Sequence, residues 1–543
     1  MSLRSNAGTK EMKMKIKRFL VYLAALVVSL QGAALRAQAK KPKAAVQQAE
    51  TLSDEEAIPP EVSEADKTAA TVEVRDSYYV RSPSYGTEPI DSTQPAYAKR
   101  LSETGIGVFR NIDWIIFGVE QRTRGEFREN DFRRPNSPVN PQGPSGNPAT
   151  QETPVLFKTR AFLKLEFDWF RLVTEVQDSR RTPIKTGADT RDFNEFEPIQ
   201  AYAEVHFRNL FGYNRPLAVR GGRYALELID RRLVGLNEWR NTTNTFQGGW
   251  ISIGRKENNW DLNLIAAQPL VREIEKLDQP IGQQWFYGGV LSVREWSQWV
   301  TFQPYYFGLN QDNQPARSDW YPTSDAGARF FRNIHTVGGR AYAALGKTGF
   351  DYDLSYTKQF GVDQLGNNAV ERKQDAFNTT AEVGYTFKHP WKPRLAGFYA
   401  YISGDIDRND NTQNRFERLY GFARPWSAND YFQLENLETP KVILEFEPIE
   451  KLKIDTAYVW YWAASPTDRW NNAGILNTAT PAGNANTDGK FGEEYNIRIR
   501  YPFPHLKVNI GYAYFRAGSY TEKFKRPGDS HFAYLELSAL LFD

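Results

Sequence analysis

In "WIIFGVEQRTRGEFREN", residues 114–130, an apolar run gives way to Glu120, Arg122, Arg124, Glu126 and Arg128 on every second residue, with Val119, Gln121, Thr123 and Phe127 between them. Side chains of a β-strand alternate between its two faces, so the five charges share one side and the mixed-to-apolar residues share the other. A surface sheet of a soluble protein could carry the same pattern, and the rest of the chain has to decide between the two.

The alternation recurs. In "LFKTRAFLKLEFDW" (156–169) Lys158, Arg160, Lys164, Glu166 and Asp168 lie opposite Thr159, Ala161, Leu163, Leu165, Phe167 and Trp169. In "IQAYAEVHF" (199–207) Gln200, Tyr202, Glu204 and His206 lie opposite Ile199, Ala201, Ala203, Val205 and Phe207. The final stretch "HFAYLELSALLFD" sets Leu535, Leu537, Ala539 and Leu541 on one face and ends with its aromatic residue, Phe542, in the penultimate position.

The connections separate into two kinds. Short ones are read at 168–171, 212–216, 256–260, 295–299, 346–349, 389–393, 448–451 and 503–506, and long polar segments such as "DIDRNDNTQNRFERLYGFARPWSANDYFQ" alternate with them. Eight short and nine long connections give about 18 strands, the even number of a bacterial outer-membrane barrel whose short turns face the periplasm. The expected fold class is therefore all-β, a transmembrane antiparallel β-barrel over residues 105–543. A barrel of this size encloses a lumen wide enough for water, so the charges of residues 120–128 are expected to face an aqueous channel and the opposite side to face lipid.

The N-terminus agrees with export. Lys13, Lys15, Lys17 and Arg18 precede the apolar run "FLVYLAALVVSL", and Ala37-Gln38-Ala39 follows, the layout of a signal peptide over residues 1–39. Residues 40–104 are polar and carry the acidic "SDEEAIPPEVSEAD", a composition that cannot bury enough apolar area to order itself; they read as a flexible periplasmic extension that could meet a periplasmic partner. The mean hydropathy of −0.59 does not exclude a membrane barrel, which hides its apolar residues at alternate positions. The 14% aromatic content suits interfacial girdles, and the absence of Cys removes disulfide staples and thiol chemistry. A net charge of +3 without a polybasic block gives no sign of nucleic-acid binding.

Four stretches, "GRYALELIDRRLVGLNEWRNTTNTFQGG", "HTVGGRAYAALGKTGFDYDLSYTKQFG", "AEVGYTFKHPWKPRLAGFYAYISGDIDRND" and "FGEEYNIRIRYPFPHLKVNIGYAYFRAGSY", resemble in this order the sequence blocks of the alginate-export family of outer-membrane proteins. "QDSR" (177–180) and "QAYAEV" (200–205) fit the same family. The resemblance runs from about Asn111 to the C-terminus. It implies an 18-stranded barrel with an Arg-rich constriction that passes an anionic polysaccharide outward. One block departs from it: the family's Arg-Thr-Phe-Asp reads Asn244-Thr245-Phe246-Gln247 here and carries neither charge.

Guanidinium groups suit a conduit for uronate polymers, because their planar fork matches a carboxylate and stays charged at any relevant pH. The candidates are Arg122, Arg124, Arg160, Arg180, Arg223, Arg231, Arg232, Arg240 and Arg340, with Glu120, Glu126, Glu166, Asp178 and Glu204 as lumenal partners. Arg223 in "GGR" and Arg232 in "DRRLVG" match the family blocks most closely. The Asp405, Asp407 and Asn409 spacing opens like a calcium loop but lacks the sixth-position Gly and the twelfth-position Glu, so a solvated loop is expected there and no metal. The five His residues form no recognisable nucleophile or metal arrangement and "GxSxG" is absent, so neither an enzyme nor a cofactor is expected. The sequence thus reads as a monomeric outer-membrane channel, in contact with membrane lipid, for an anionic polysaccharide or small anions. The alternatives are a general porin for small anions or sugars and a surface adhesion protein anchored by its barrel. Whether the Lys40 to Arg100 arm closes the pore as a plug, and whether the 405–433 loop folds inward as a gate, are both left open.

Overall fold

A computed structural model describes residues 94–132, 152–182, 190–210, 214–297, 299–315, 329–365, 371–407, 409–421, 424–468, 470, 488–524 and 528–542. The signal peptide and most of the 40–104 extension lie outside them.

Eighteen long antiparallel strands run through the described residues. The first six are β1 (Ile115–Glu129), β2 (Val155–Glu166), β3 (Phe170–Thr182), β4 (Asn194–Phe207), β5 (Leu217–Ala225) and β6 (Thr245–Ile253). The next six are β7 (Trp260–Val271), β8 (Gln284–Ser297), β9 (Val300–Pro315), β10 (Arg329–Ala344), β11 (Phe350–Leu365) and β12 (Arg372–Thr386). The last six are β13 (Arg394–Ile402), β14 (Leu437–Phe446), β15 (Lys453–Trp462), β16 (Lys490–Phe503), β17 (Leu506–Ala517) and β18 (Ser530–Leu540). Each pairs with its neighbour in sequence, and β18 returns to β1 in the register Glu120↔Leu540 to Glu129↔His531. Closure leaves no free sheet edge, the condition a sheet must meet to sit in hydrocarbon, where an unpaired backbone group finds no water.

The connections fall as the sequence predicts. Those at 167–169, 208–216, 254–259, 298–299, 345–349, 387–393, 447–452 and 504–505 leave one end of the barrel and the other nine leave the opposite end. By the rule for bacterial barrels the former end is periplasmic. The start of β1 and the end of β18 lie there too.

Along β1 burial alternates strictly: the five charged residues from Glu120 to Arg128 are buried, and the intervening ones are not. The outer face is the reverse of a soluble protein's. Val219, Leu264, Leu354, Val383, Val442 and Leu535 are among its exposed large apolar side chains, as lipid contact demands. The expected assignment of the two faces therefore holds, but the lumenal charges are covered by protein where an open aqueous channel was expected. The cause is two of the connections from the long-loop end, which fold inward.

The β5–β6 connection (226–244) buries Leu226, Leu228, Leu233, Val234, Leu236 and Trp239 within the barrel. The β13–β14 connection (403–436) buries Phe416, Leu419, Tyr420, Trp426, Tyr431 and Phe432. The two meet through Gly235 N–H to Tyr420 O (3.2 Å) and Tyr420 N–H to Leu233 O (3.0 Å). Gly421 permits this approach, since a Cβ there would overlap the Arg232 carbonyl oxygen. The open question about the 405–433 segment is answered: it lies inward.

Candidate conduit in the barrel lumen

The wall formed by β1 to β3 holds the β5–β6 loop by its carbonyl groups. Arg122 donates to Glu238 O (2.8 Å) and Arg240 O (3.0 Å), Arg124 to Trp239 O (2.6 Å), and Lys158 Nζ to Glu238 O (3.1 Å) and Arg240 O (3.2 Å). Asn241 Nδ2 donates to Phe157 O and Arg180 O, both at 3.0 Å. Carboxylates complete the cluster. Arg160 pairs with Glu120 and with Glu238 (2.9 Å), and Arg124 with Glu126 (2.8 Å) and Glu536 (3.2 Å). Burial pushes the Glu238 carboxyl up, but Arg160, Lys158 and Arg122 around it more than offset this and hold it at about 2. It therefore stays charged and bound. Trp239 lies between two guanidinium groups, with Arg124 3.9 Å and Arg424 3.7 Å from its ring centroid, a cation–π sandwich shielded from water.

The second loop is held from β14 and β16. Glu494 on β16 accepts from Ser427 Oγ (2.6 Å), Ala428 N–H (2.8 Å) and Asn429 Nδ2 (2.9 Å), while Lys441 Nζ on β14 donates to Pro425 O (2.7 Å). Arg240 joins the two loops by a forked pair to Asp430 (2.9 and 3.2 Å). Aromatic packing adds area: Phe432 stacks on Tyr461 at 4.1 Å and Trp470 at 5.1 Å, and Tyr420 meets Phe286 at 4.8 Å and Phe246 at 5.1 Å. The lumen-facing surface thus carries a large apolar component that the alternation of charges on β1 and β2 does not announce.

The expected site residues distribute as follows. Glu120, Arg122, Arg124, Glu126, Arg160, Glu204 and Arg340 point inward from their strands and are buried. Arg340 makes a forked pair with Asp353 (2.8 and 2.7 Å), and Glu204 accepts from Arg171 (2.9 Å) and Arg220 (2.6 Å). Glu166 lies at the periplasmic end with Arg100 and Arg171. Arg231, Arg232 and Arg240 belong to the inward β5–β6 loop; Arg231 pairs with Glu227 and Arg232 with Asp230 at 2.5 Å.

Three of these residues lie elsewhere than expected. Asp178 and Arg180 pair with each other at 2.7 Å on the outer face of β3, because Glu175, Gln177, Ser179 and Arg181 hold the inward positions. A one-residue choice of register flips the face. The inward basic residue is Arg181, paired with Glu152 (2.5 Å) and Asp192 (3.0 Å). Arg223 is level with Ala201 and Gln247, whose side chains are exposed, while Arg220 and Tyr224 are buried. Its guanidinium folds back to Glu197 and to Asp278 O (2.9 Å). Lys158, Arg220, Glu494 and Glu536 were missed as candidates, although parity marks Lys158 with Arg160. Asp405, the first position of the calcium-like spacing, is buried and accepts from Asn414 N–H (3.4 Å).

At the periplasmic end two cavities remain. One, of about 1490 Å³, is lined by Arg100, Lys164, Arg171, Arg208, Arg220, Arg255 and Lys256, by the acids Asp113, Glu166, Asp168, Glu204, Glu227 and Glu257, and by the aromatic rings of Tyr202 and Trp250 among others. The other, of about 610 Å³, reaches inward to Arg122, Arg160 and Glu238 and outward to Lys451, Lys453, Arg500 and Lys507.

The family model for alginate export matches residues 113–532. The chain belongs to the alginate export family. With its closed barrel, this makes it an outer-membrane channel, a role distinct from catalysis. Among solved structures it is similar to Pseudomonas aeruginosa OccK2 (OpdF), at 14% identity and a TM-score of 0.48 over 78% of this chain and 97% of that one. It is also similar to Acinetobacter baumannii OccAB3, at 9% identity and a TM-score of 0.47 over 78% and 99%. Pseudomonas aeruginosa OpdQ gives 14% identity and 0.46 over 78% and 97%. No curated protein matches the chain.

Proposed function

We propose that this family member passes an anionic polysaccharide of the uronate type, or smaller anionic solutes, by diffusion through its lumen. The observation that carries the reading is the row of inward guanidinium groups, Arg122, Arg160 and Arg220, each reached from a periplasmic cavity. A carboxylate arriving there meets planar forked donors already paired, Arg160 with Glu120 and Glu238, Arg220 with Glu204 and Arg122 with Glu536. Exchange between such pre-paired partners keeps each contact weak, which suits passage better than retention.

The same pairing supports a second reading, a porin for small anions. Positive charge in the lumen is divided among ion pairs, so the field alternates over short distances, which a small solute tolerates and a uniform polyanion is less suited to. Block of single-channel current by oligo-uronates, recorded beside neutral oligosaccharides of equal length, separates the two. The polysaccharide reading expects uronate-specific block that weakens in Arg122→Ala; current indifferent to oligo-uronates would leave the porin.

A further inference from the structure

The described chain begins inside the barrel. Tyr97 and Ala98 are buried against the lumenal side of β1, and Lys99 and Arg100 pair antiparallel with Phe117 and Ile116. There they continue the line of β18, whose chain leaves β1 at Leu541 N–H to Val119 O (2.9 Å). Gly118 makes the crossing possible: a Cβ at this inward position would overlap the Tyr97 carbonyl oxygen and stand 2.7 Å from Ala98 Cα. Side chains fix the segment to two further strands. Tyr97 Oη donates to Glu175 on β3 (2.5 Å), which also accepts from Gln200 Nε2 on β4 (2.5 Å). Arg160 on β2 lies 5.0 Å from the Tyr97 ring centroid, and Arg100 donates to Glu166 (2.6 Å). Pro95, Ala96 and Tyr97 line the smaller periplasmic cavity and Arg100 lines the larger.

We propose that residues 94–100 are a strap on the conduit wall, which narrows the passage at its periplasmic end and covers the Glu175 carboxylate from passing ions. Glu120 and Glu238 on the same wall pair with Arg160, whereas Glu175 is held by the neutral donors Tyr97 and Gln200, so uncovering it would expose negative charge that attracts cations into the lumen. Tyr97 donates its one hydroxyl proton to Glu175 and lines the smaller periplasmic cavity beside it. The strap is therefore a determinant of both bore and charge, contributed by the segment that precedes the barrel. The inference requires only that the protein conducts ions; it does not depend on which anion is carried.

The test is planar-bilayer recording of the full mature chain beside Gly118→Val and Tyr97→Ala, with heat-modifiable gel migration reporting that each barrel is folded. Gly118→Val displaces the strap, and is expected to raise single-channel conductance and shift the reversal potential toward cations. Tyr97→Ala keeps the strap backbone and uncovers Glu175, so it is expected to give the selectivity shift with a smaller rise in conductance. Folded variants with the parent's conductance and reversal potential would overturn the proposal. Should Gly118→Val fail to fold, the absence of any shift in Tyr97→Ala overturns it alone. The parent's own selectivity tests the anion reading separately, since the strap is judged by the change from parent to variant.

Discussion

The two ends of the lumen are built differently. Toward the long-loop end, two connections fold inward and are gripped by buried partners, one by Glu494 and Lys441 on β16 and β14, the other by Arg122, Arg124 and Lys158 on β1 and β2. Toward the periplasmic end, short turns leave room for cavities whose charges are partly hydrated, as at Arg255 and Glu257. The same chemical groups act differently at the two ends. A buried pair loses several kcal/mol when one partner is removed, because the survivor is left uncompensated; an exposed pair contributes roughly 0–1 kcal/mol and fades with salt. Structural control of the conduit should therefore reside with the inward loops, and electrostatic attraction with the periplasmic vestibule.

The largest expected effect comes from Glu494→Ala, which removes the acceptor shared by Ser427, Ala428 and Asn429. With three buried neutral donors left unsatisfied, a loss of about 3 kcal/mol at the loop's seat should appear as larger or more frequent single-channel openings and as protease cleavage within 403–436. A variant that is folded and unchanged on both counts would separate this loop from control of the conduit.

Next in size is the link between the loops. Arg240→Ala and Asp430→Ala should each lower the unfolding free energy by about 2 kcal/mol, and the double variant should fall short of the sum by at least about 1 kcal/mol. Additive losses would mean that the loops are held by the walls independently. Thermal unfolding in detergent, followed by gel migration, reads this coupling.

Acid gives a smaller and graded effect. Glu238 is lowered from 4.5 to about 2 in the folded state. A depressed carboxyl contributes stability that is complete above its unfolded value and is lost as pH falls through the folded one. The β5–β6 loop should thus keep its hold from neutral pH down to 4.5 and loosen between there and about 2. Glu238→Gln should lack this component of the acid transition, which stability measured across that pH range would register. The least effect is expected for Arg255→Ala, whose partner Glu257 is similarly exposed: under about 0.5 kcal/mol in stability, and a change in conductance seen only at low salt.

How far the sequence reveals this depends on whether the physics is local. Strand parity is local, which is why Glu120 to Arg128 could be assigned to the lumen and the eight short turns placed from composition alone. Parity also marks Arg181 as the inward residue, since Gln177 and Ser179 share its face; Arg180 is one residue out of register with it. Arg223, beside Gly222 with φ 135, matches its family block, whereas its register with Ala201 puts it on the outer side. The inward loops are a different matter. Trp239, Tyr420 and Trp426 sit in aperiodic polar segments, and their burial is decided by partners such as Arg124, Phe286 and Lys441, remote in sequence. Nothing in a loop's own composition tells whether a barrel wide enough to admit it will do so.

The proposed anion preference of the lumen rests on its inward guanidinium groups. The reversal potential of the parent protein in a planar bilayer under a KCl gradient tests it most directly. A potential on the chloride side is expected, reduced in Arg122→Ala and Arg220→Ala; a cation-selective or unselective current in the parent would contradict the anion preference.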